Sequence, residues 1–512
     1  MQRSNLIRAT SGLRYWWILG FMLVMQAFPS AAQKAAFTYN YDENCLLAYR
    51  YEMSMHFAEA HQILATEKIA SPNNLMAVYL ADYEDCLTFV INCDKHEYEK
   101  RKDHFEERLT LLEKGDENSP WFRFCKAGLY MHWAIAGLQF GDQLKAAARF
   151  RKSYFLLKEN ERLFPNFEYD AIFSGLQESV VGALPGNYQW MAGLFGIKGN
   201  IKKGNNQLAI FVAGHNSTQP FFEEAELYFL YTRFYLGGEH KEAWDQISGP
   251  SFATHDNPLR IYAKTTMAID HRRADAALAT LKDAENGTTF EQYPIFYYLT
   301  GVAMLSKSDI GCISYFQQYL KLNKSDLFTK TTWQRMAYAW YLAGNMEQAN
   351  YCRLQARNEG AARIDADKQA EQFGEGKEWP VKNLLRGRLL SDGGYYQEAF
   401  KVLSEINLPS LTDPADRTEY FYRLGRIYQE LSDNKRALEY YNYALAAGKK
   451  RHEQYAARAA LQMGLLYEHT GATVHARASF QECLDMPSHD FQNIIDQQAK
   501  AGLNRMEDPD KK

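Results

Sequence analysis

Residues 421–444 read FYRLGRIYQELSDNKRALEYYNYA, and residues 460–483 read ALQMGLLYEHTGATVHARASFQEC. In the first stretch the apolar and small positions are Phe421, Leu424, Gly425, Tyr428, Ala437, Tyr441 and Ala444. In the second, Ala460, Met463, Gly464, Tyr467, Ala476, Phe480 and Cys483 fall at the same offsets. Within each half the apolar positions recur every three or four residues, the period of one helix face. Gly425 and Ala437, like Gly464 and Ala476, leave room for two helix backbones to approach, where a larger side chain would push ridges out of grooves. Each stretch therefore predicts two antiparallel helices, A and B, with its smallest residues expected to meet at the crossing. One such pair cannot bury its own apolar face, so neighbours must stack on it.

Both stretches follow the tetratricopeptide template: aromatic at position 4, Leu at 7, Gly or Ala at 8, Tyr at 11, Ala at 20, aromatic at 24 and Ala at 27. Ala460 departs from it at position 4. Weaker copies precede these two. They are Leu227, Phe234, Ala243 and Ile247; Ile261, Ala268, Ala277, Leu281 and Ala284; Tyr297, Gly301, Met304, Cys312 and Phe316, one residue short in the turn; Trp333, Met336, Ala337, Trp340, Ala349 and Ala356; and Gly387, Leu390, Ala399 and Leu403, with Arg386 where Leu is expected. The helix-B small residues then stand at 243, 277, 312, 349, 399, 437 and 476, close to the family period of roughly 34 except across the gap after 349. The chain thus resembles the tetratricopeptide repeat family. The resemblance implies an all-α fold, an α-solenoid of stacked antiparallel helix pairs, and a binding role.

Around this array the chain divides into further segments. Residues 1–32 read as a signal peptide: Arg3, Arg8 and Arg14 precede an apolar run from Tyr15, and Ser30 and Ala32 fit a cleavage site before Gln33. The alternative is an uncleaved anchor, although the apolar run is shorter than the roughly 20 residues a span needs. Residues 33–169 read as a helical region of divergent repeats, with Ala48, Tyr51, Ala60, Leu64 and Pro72 fitting one unit. Residues 170–215 read as an irregular helical connector. Residues 216–356 carry the first repeats, 357–377 a polar insertion, and 378–505 the C-terminal repeats. Within the connector, Ser174-Gly175-Leu176, Leu184-Pro185, Gly193 to Asn200, and Gly204 resemble the middle of the inclusion-body-clearance family of tetratricopeptide proteins. That resemblance implies an adaptor and not an enzyme, and Asn200 departs from its expected Asp.

Composition narrows the function classes. A net charge of -4 provides no basic field for nucleic acid, so none is expected as a partner. Seven cysteines are an odd number for an exported chain, so at least one lies outside internal disulfides; Cys45–Cys86 and Cys93–Cys125 bonds remain open. Gly199 to Gly204 is followed by Asn205 and Asn206, so it lacks the Lys and hydroxyl of a phosphate loop. No HExxH, paired Cys-x-x-Cys or GxSxG arrangement occurs, and no segment is left over for a lysozyme-like domain. No enzyme activity, metal or cofactor is expected. The Asn-x-Ser/Thr matches at Asn216, Asn286 and Asn323 read as chance.

In solenoids of this type, positions 2, 5, 9 and 12 of helix A line the concave face. Here these include Gln334, Tyr338 and Tyr341, then Leu384, Arg388 and Ser391, then Glu419, Tyr422, Arg426 and Gln429, then Arg458, Leu461 and Glu468. Tyr338, Tyr341, Arg388, Tyr422, Arg426 and Gln429 form the candidate ligand-binding set, because Tyr and Arg are favoured as interface anchors. The reading is a periplasmic or secreted, non-catalytic scaffold that takes a protein or peptide partner in this groove. The alternative is a glycan- or nutrient-binding component of an outer-membrane uptake system, for which exposed tryptophans would speak.

Overall fold

Ala243, Ala277, Cys312, Ala349, Ala399, Ala437 and Ala476, the seven small residues of the helix-B series, are all fully buried. They sit in a computed structural model that describes residues 36–184, 196–285 and 289–506. The segment 1–32, the Pro185 turn, Trp190, Gly193 to Phe195 and the Asn286 sequence lie outside the described residues. The described chain is helical throughout and shows no strand beyond an isolated bridge between Thr38 and Asn74. Its helices pack as successive antiparallel pairs, such as Pro258–Asp270 with Ala274–Ala284, Pro414–Glu430 with Asn434–Gly448, and Tyr455–His469 with Thr473–Leu484. The architecture is an α-solenoid.

Within a unit, the glycine at position 8 faces a different neighbour from the one expected. A methyl group built on Gly425 would lie 2.6 Å from the Tyr441 ring, and one on Gly464 would lie 2.5 Å from the Phe480 ring. Gly387 meets Leu403 in the same way, and Gly301 meets Phe316 one residue early, as its shortened turn requires. The missing side chain thus makes room for the large residue at position 24, and the small residue at position 20 is buried beside that contact. The physical reason is volume: a buried aromatic ring takes up the space that two glycine-sized surfaces leave between helices.

A second regularity lies in the turn. Gly238, Arg272, Ser308, Gly344, Gly394, Ser432 and Gly471 all have φ between +59° and +88°. Each stands at position 15, between helix A and helix B. The next residue donates its N–H back to the end of helix A, as in Asn345 to Trp340 O at 2.9 Å and Asp433 to Tyr428 O at 2.8 Å. This left-handed stop satisfies carbonyls that the helix would leave orphaned and reverses the chain. Glycine takes this conformation freely, whereas Arg272, Ser308 and Ser432 take it at a cost of about 1 kcal/mol or more.

The segment 170–215 contributes two closely crossed helices, Asp170–Gly182 and Ile201–Gly214. A methyl group on Gly182 would lie 2.6 Å from the Ile201 nitrogen, and one on Gly199 2.5 Å from the Gly182 nitrogen. The glycines that invite comparison with a phosphate loop therefore serve backbone-on-backbone contact, and the Asn200 side chain caps the second helix through Lys203 N at 2.9 Å.

A buried polar knot joins the N-terminal helices to the array. His132 lies 2.8 Å from Asp82 through Nδ1 and 3.3 Å from Glu224 through Nε2. Tyr83 donates to Glu224 at 2.6 Å, while Trp133 and Arg108 both donate to Asp82. Burial works against a charged imidazole, yet the two carboxylates raise His132 to about 9. With all its members buried except the partly exposed Arg108, the knot is a structural staple. All seven cysteines are free, so neither the Cys45–Cys86 nor the Cys93–Cys125 bond forms.

The position-8 contact predicts opposite signs for two Gly→Ala changes. Gly425→Ala should destabilise by about 1–3 kcal/mol through overpacking against Tyr441, despite the roughly 1 kcal/mol gain in helix propensity. Gly214→Ala, with nothing within 4 Å of the new methyl, should be neutral or slightly stabilising. Urea unfolding of both variants checks the pair.

Candidate site between the two arrays

Curvature brings the two repeat arrays against each other. Helix Lys382–Gly393 packs on Ile295–Ser306, and Tyr395 donates to Asp275 at 2.9 Å, a carboxylate that also pairs with Lys307 at 2.8 Å. The backbone of Arg272 lies directly on Gly394, so one array's left-handed turn seats on the other's. At the far end, helix Gln492–Arg505 returns to Ile201–Gly214, with Arg505 bonded to Gly237 O and Lys500 to Leu184 O. Arg505 also grips Glu468 with two bonds of 2.8 and 2.7 Å.

This closure changes the status of the expected groove residues. Tyr422 is 2% exposed and Arg426 8%, so they are buried and do not lie on an open surface. Leu384, Ser391 and Leu461 are fully buried as well. Arg388 forms two short bonds to Glu419, of 2.6 and 2.7 Å, and Glu419 also reaches Arg423, which pairs with Asp392 at 2.6 Å. Arg426 binds Glu430 at 2.7 Å, Gln429 at 3.3 Å and the Gln462 side chain. Gln429 in turn accepts from Tyr441 at 2.5 Å. Tyr422 lies between the Tyr441 and Tyr455 rings, with centroids 6.3 and 5.8 Å away. Arg388, Tyr422, Arg426 and Gln429 are therefore linked side by side along one track of alternating phenols and guanidiniums.

Tyr338 and Tyr341 meet a different partner, the inserted segment. Helix Asp365–Glu375 packs across both Thr329–Leu342 and Met346–Asn358. Tyr341 stacks on Trp379 at 4.6 Å and donates to Pro380 O at 3.1 Å, while Tyr338 meets Phe373 edge-on at 5.0 Å. Arg353 fixes the same segment: its guanidinium lies 4.8 Å from the Phe373 ring and 5.0 Å from the Trp379 ring, and it donates to the carbonyls of Phe373, Lys377 and Glu378. The buried Asp367 carboxylate accepts from Phe328 N, Thr331 N and Thr331 Oγ1, capping helix Thr329–Leu342. The insertion's Phe373 and the Trp379–Pro380 stretch that follows it thus occupy the face that Tyr338 and Tyr341 were expected to offer a ligand.

The electrostatics of the crevice are positive. Burial alone would raise the Tyr422 phenol, but Arg272, Arg458, Arg426 and Arg423 hold it below the ordinary tyrosine value. Burial, reinforced by His271, Arg505 and Arg426, drives His240 down to about 4. Two contributors were missed in the sequence. Arg423 sits on the helix face between the concave positions, and Arg272 belongs to the other array. Its signal was an arginine at a turn position where Gly238, Gly344, Gly394 and Gly471 stand in other units. Among the described residues, the one group of candidate metal ligands is Asp42, Cys45 and Glu67. In that group Asp42 Oδ1 caps Cys45 N, and the two Glu67 oxygens accept from Asn44 and Asn74.

No family model and no curated protein matches the chain. Among solved structures, it is similar to the Cut9–Hcn1 hetero-tetramer of the APC/C, at 14% identity over 90% of each chain and a TM-score of 0.25. It is also similar to a monomeric IFIT1 mutant with Gppp-AAAA, at 14% identity over 85% of this chain and 79% of that one, with a TM-score of 0.26.

If Arg353 is what holds the insertion down, Arg353→Ala should raise tryptic cleavage at the exposed Lys368 and Lys377 by about tenfold, equivalent to about 1.4 kcal/mol of local opening. Peptide mapping of early digests measures it. With its stacked helix pairs, buried small residues and repeated left-handed turns, the chain is an all-helical repeat protein, an α-solenoid.

Proposed function

We propose that this protein is a non-catalytic scaffold that holds a protein or peptide partner in the crevice between its two repeat arrays. The observation that carries this reading is the track of Tyr338, Arg388, Glu419, Tyr422, Arg426, Gln429 and Tyr455. Its rings offer flat apolar area, and its guanidiniums and carboxylates match the mixed polarity of a peptide backbone. Arg388, Gln429, Tyr455 and Tyr338 remain partly exposed, so the track has an accessible edge. Among the described residues no tryptophan is exposed, which favours a peptide over the sugar platform of an uptake system. Export rests on the sequence of residues 3–32. Among the described residues no helix is long and apolar enough to cross a membrane.

The test uses the full chain as bait against an envelope fraction, in parallel with Gln429→Ala and Tyr338→Ala variants. Both substituted side chains are half-buried, and Arg426, the one ion Gln429 contacts, keeps Glu430 and Gln462 as partners, so neither loss strands an ion. One protein should be recovered with the wild type and depleted by both variants. Equal recovery with the variants, or saturable binding of an oligosaccharide in place of any protein, would overturn the reading.

A further inference from the structure

Glu52 is fully buried on helix Glu43–Met53, and both its carboxyl oxygens are closed off from solvent with no hydrogen-bond partner. Among the described residues no other carboxyl has both oxygens in that condition. The charges that act on it are Glu84, Asp85 and Asp82 from helix Asp82–Asn92 and Arg108 from helix His104–Leu112. Arg108 is already bonded to Asp82 at 2.8 Å, to Asp85 at 2.5 Å and to Ala81 O at 2.9 Å. Arg101 pairs with Glu84 and Asp85, His61 with Glu84, His104 with Asp85, and His132 with Asp82. Every cation of the group is thus committed to another carboxylate. An ionised Glu52 would be a buried charge without a partner, which is very costly. It also belongs to no set of ligand atoms close enough to hold a metal ion. A proton, which needs no added volume, meets the requirement.

The same helix lies along the seam between the N-terminal helices and the repeat array. Tyr49 accepts from Glu224 N at 3.0 Å, Met55 O accepts from the Tyr293 hydroxyl at 2.8 Å, and His56 lies 3.4 Å from Asp256. Burial, with Glu84 and Glu52 adding to it, raises the Tyr293 phenol to about 12, so the array's side of the seam feels the same carboxyls. We infer that Glu52 is a proton-held latch: as a neutral acid it lets the N-terminal helices close on the array, and its ionisation loosens that seam. Burial and Glu84, against Arg108, raise its carboxyl well above the ordinary value of 4.5, with Asp85 and Asp82 acting in the same direction. Once the seam opens, the carboxyl is hydrated and gives its proton to water. Opening therefore releases one proton at any pH between the ordinary and the raised value. The latch is fully held below about 4.5, and above it the opening equilibrium rises about tenfold per pH unit.

Hydrogen exchange of the full-length chain, followed by mass spectrometry and corrected for the pH dependence of intrinsic exchange, reads the seam through peptides covering residues 43–56. The window from about pH 5 to about pH 6.5 isolates Glu52, because His132, raised to about 9, changes its contribution only above the ordinary histidine value of about 6.5. Opening of the wild-type seam should rise about tenfold per pH unit across this window, while helices Tyr455–His469 and Thr473–Leu484 show no such rise. Glu52→Gln keeps the shape of the neutral acid, and Glu52→Met replaces it with an apolar side chain suited to burial. Each should flatten the seam's pH dependence, and either one that folds is sufficient. A wild-type seam with no excess pH dependence would overturn the latch by itself. An equal slope in wild type and variant, or the same slope in the C-terminal helices, would overturn it as well.

Discussion

The contact between the position-8 glycine and the large side chain at position 24 is the constraint on which the solenoid depends. It sets how closely helix A approaches helix B in each regular unit, with Tyr441 over Gly425, Phe480 over Gly464, Leu403 over Gly387 and Phe316 over Gly301. The left-handed residue at position 15 then fixes the turn, so every unit leaves its neighbour at a similar angle. Small equal rotations of stacked units accumulate into curvature. Here the curvature is large enough that Lys382–Gly393 returns to Ile295–Ser306, and Gln492–Arg505 reaches Ile201–Gly214.

Closure buries much of what the repeat template places on a concave face. Two of the chain's own elements then share the role a ligand would have. The insertion lays Phe373 on Tyr338, Trp379 just after it stacks on Tyr341, and the Arg272 turn seats on Gly394. What remains between them is polar and predominantly cationic. That follows from the repeat geometry: concave positions point inward from every helix A, so like residues at those positions, here arginines on successive units, are brought within reach of one another.

The parts of this arrangement that could be read in the sequence are those where packing dictates residue type at a fixed spacing. Seven small helix-B residues across half the chain are visible because nothing larger fits, and all seven are buried. The one-residue deficit in the Cys312 unit appears in the structure as Gly301 meeting Phe316 a residue early. The crevice was legible only in part. Concave positions could be assigned from the template, but not the fact that a second array would cover them, because the Asp275–Tyr395 and Arg505–Gly237 contacts obey no period. The insertion hid Phe373 in a polar run, where low mean hydropathy conceals it, and Trp379 stands just past its end. The His132 knot draws residues from four separate helices, and no spacing rule links Asp82, His132 and Glu224.

Hydroxyl-radical footprinting of the native chain tests the internal closure most directly, because tyrosines report their own exposure. A closed crevice predicts strong modification of the exposed Tyr351 and Tyr443, with Tyr422 protected and Tyr341 weakly modified behind Trp379. Modification of Tyr422 at a rate comparable to Tyr443 would show that the concave face is open, and would contradict the account.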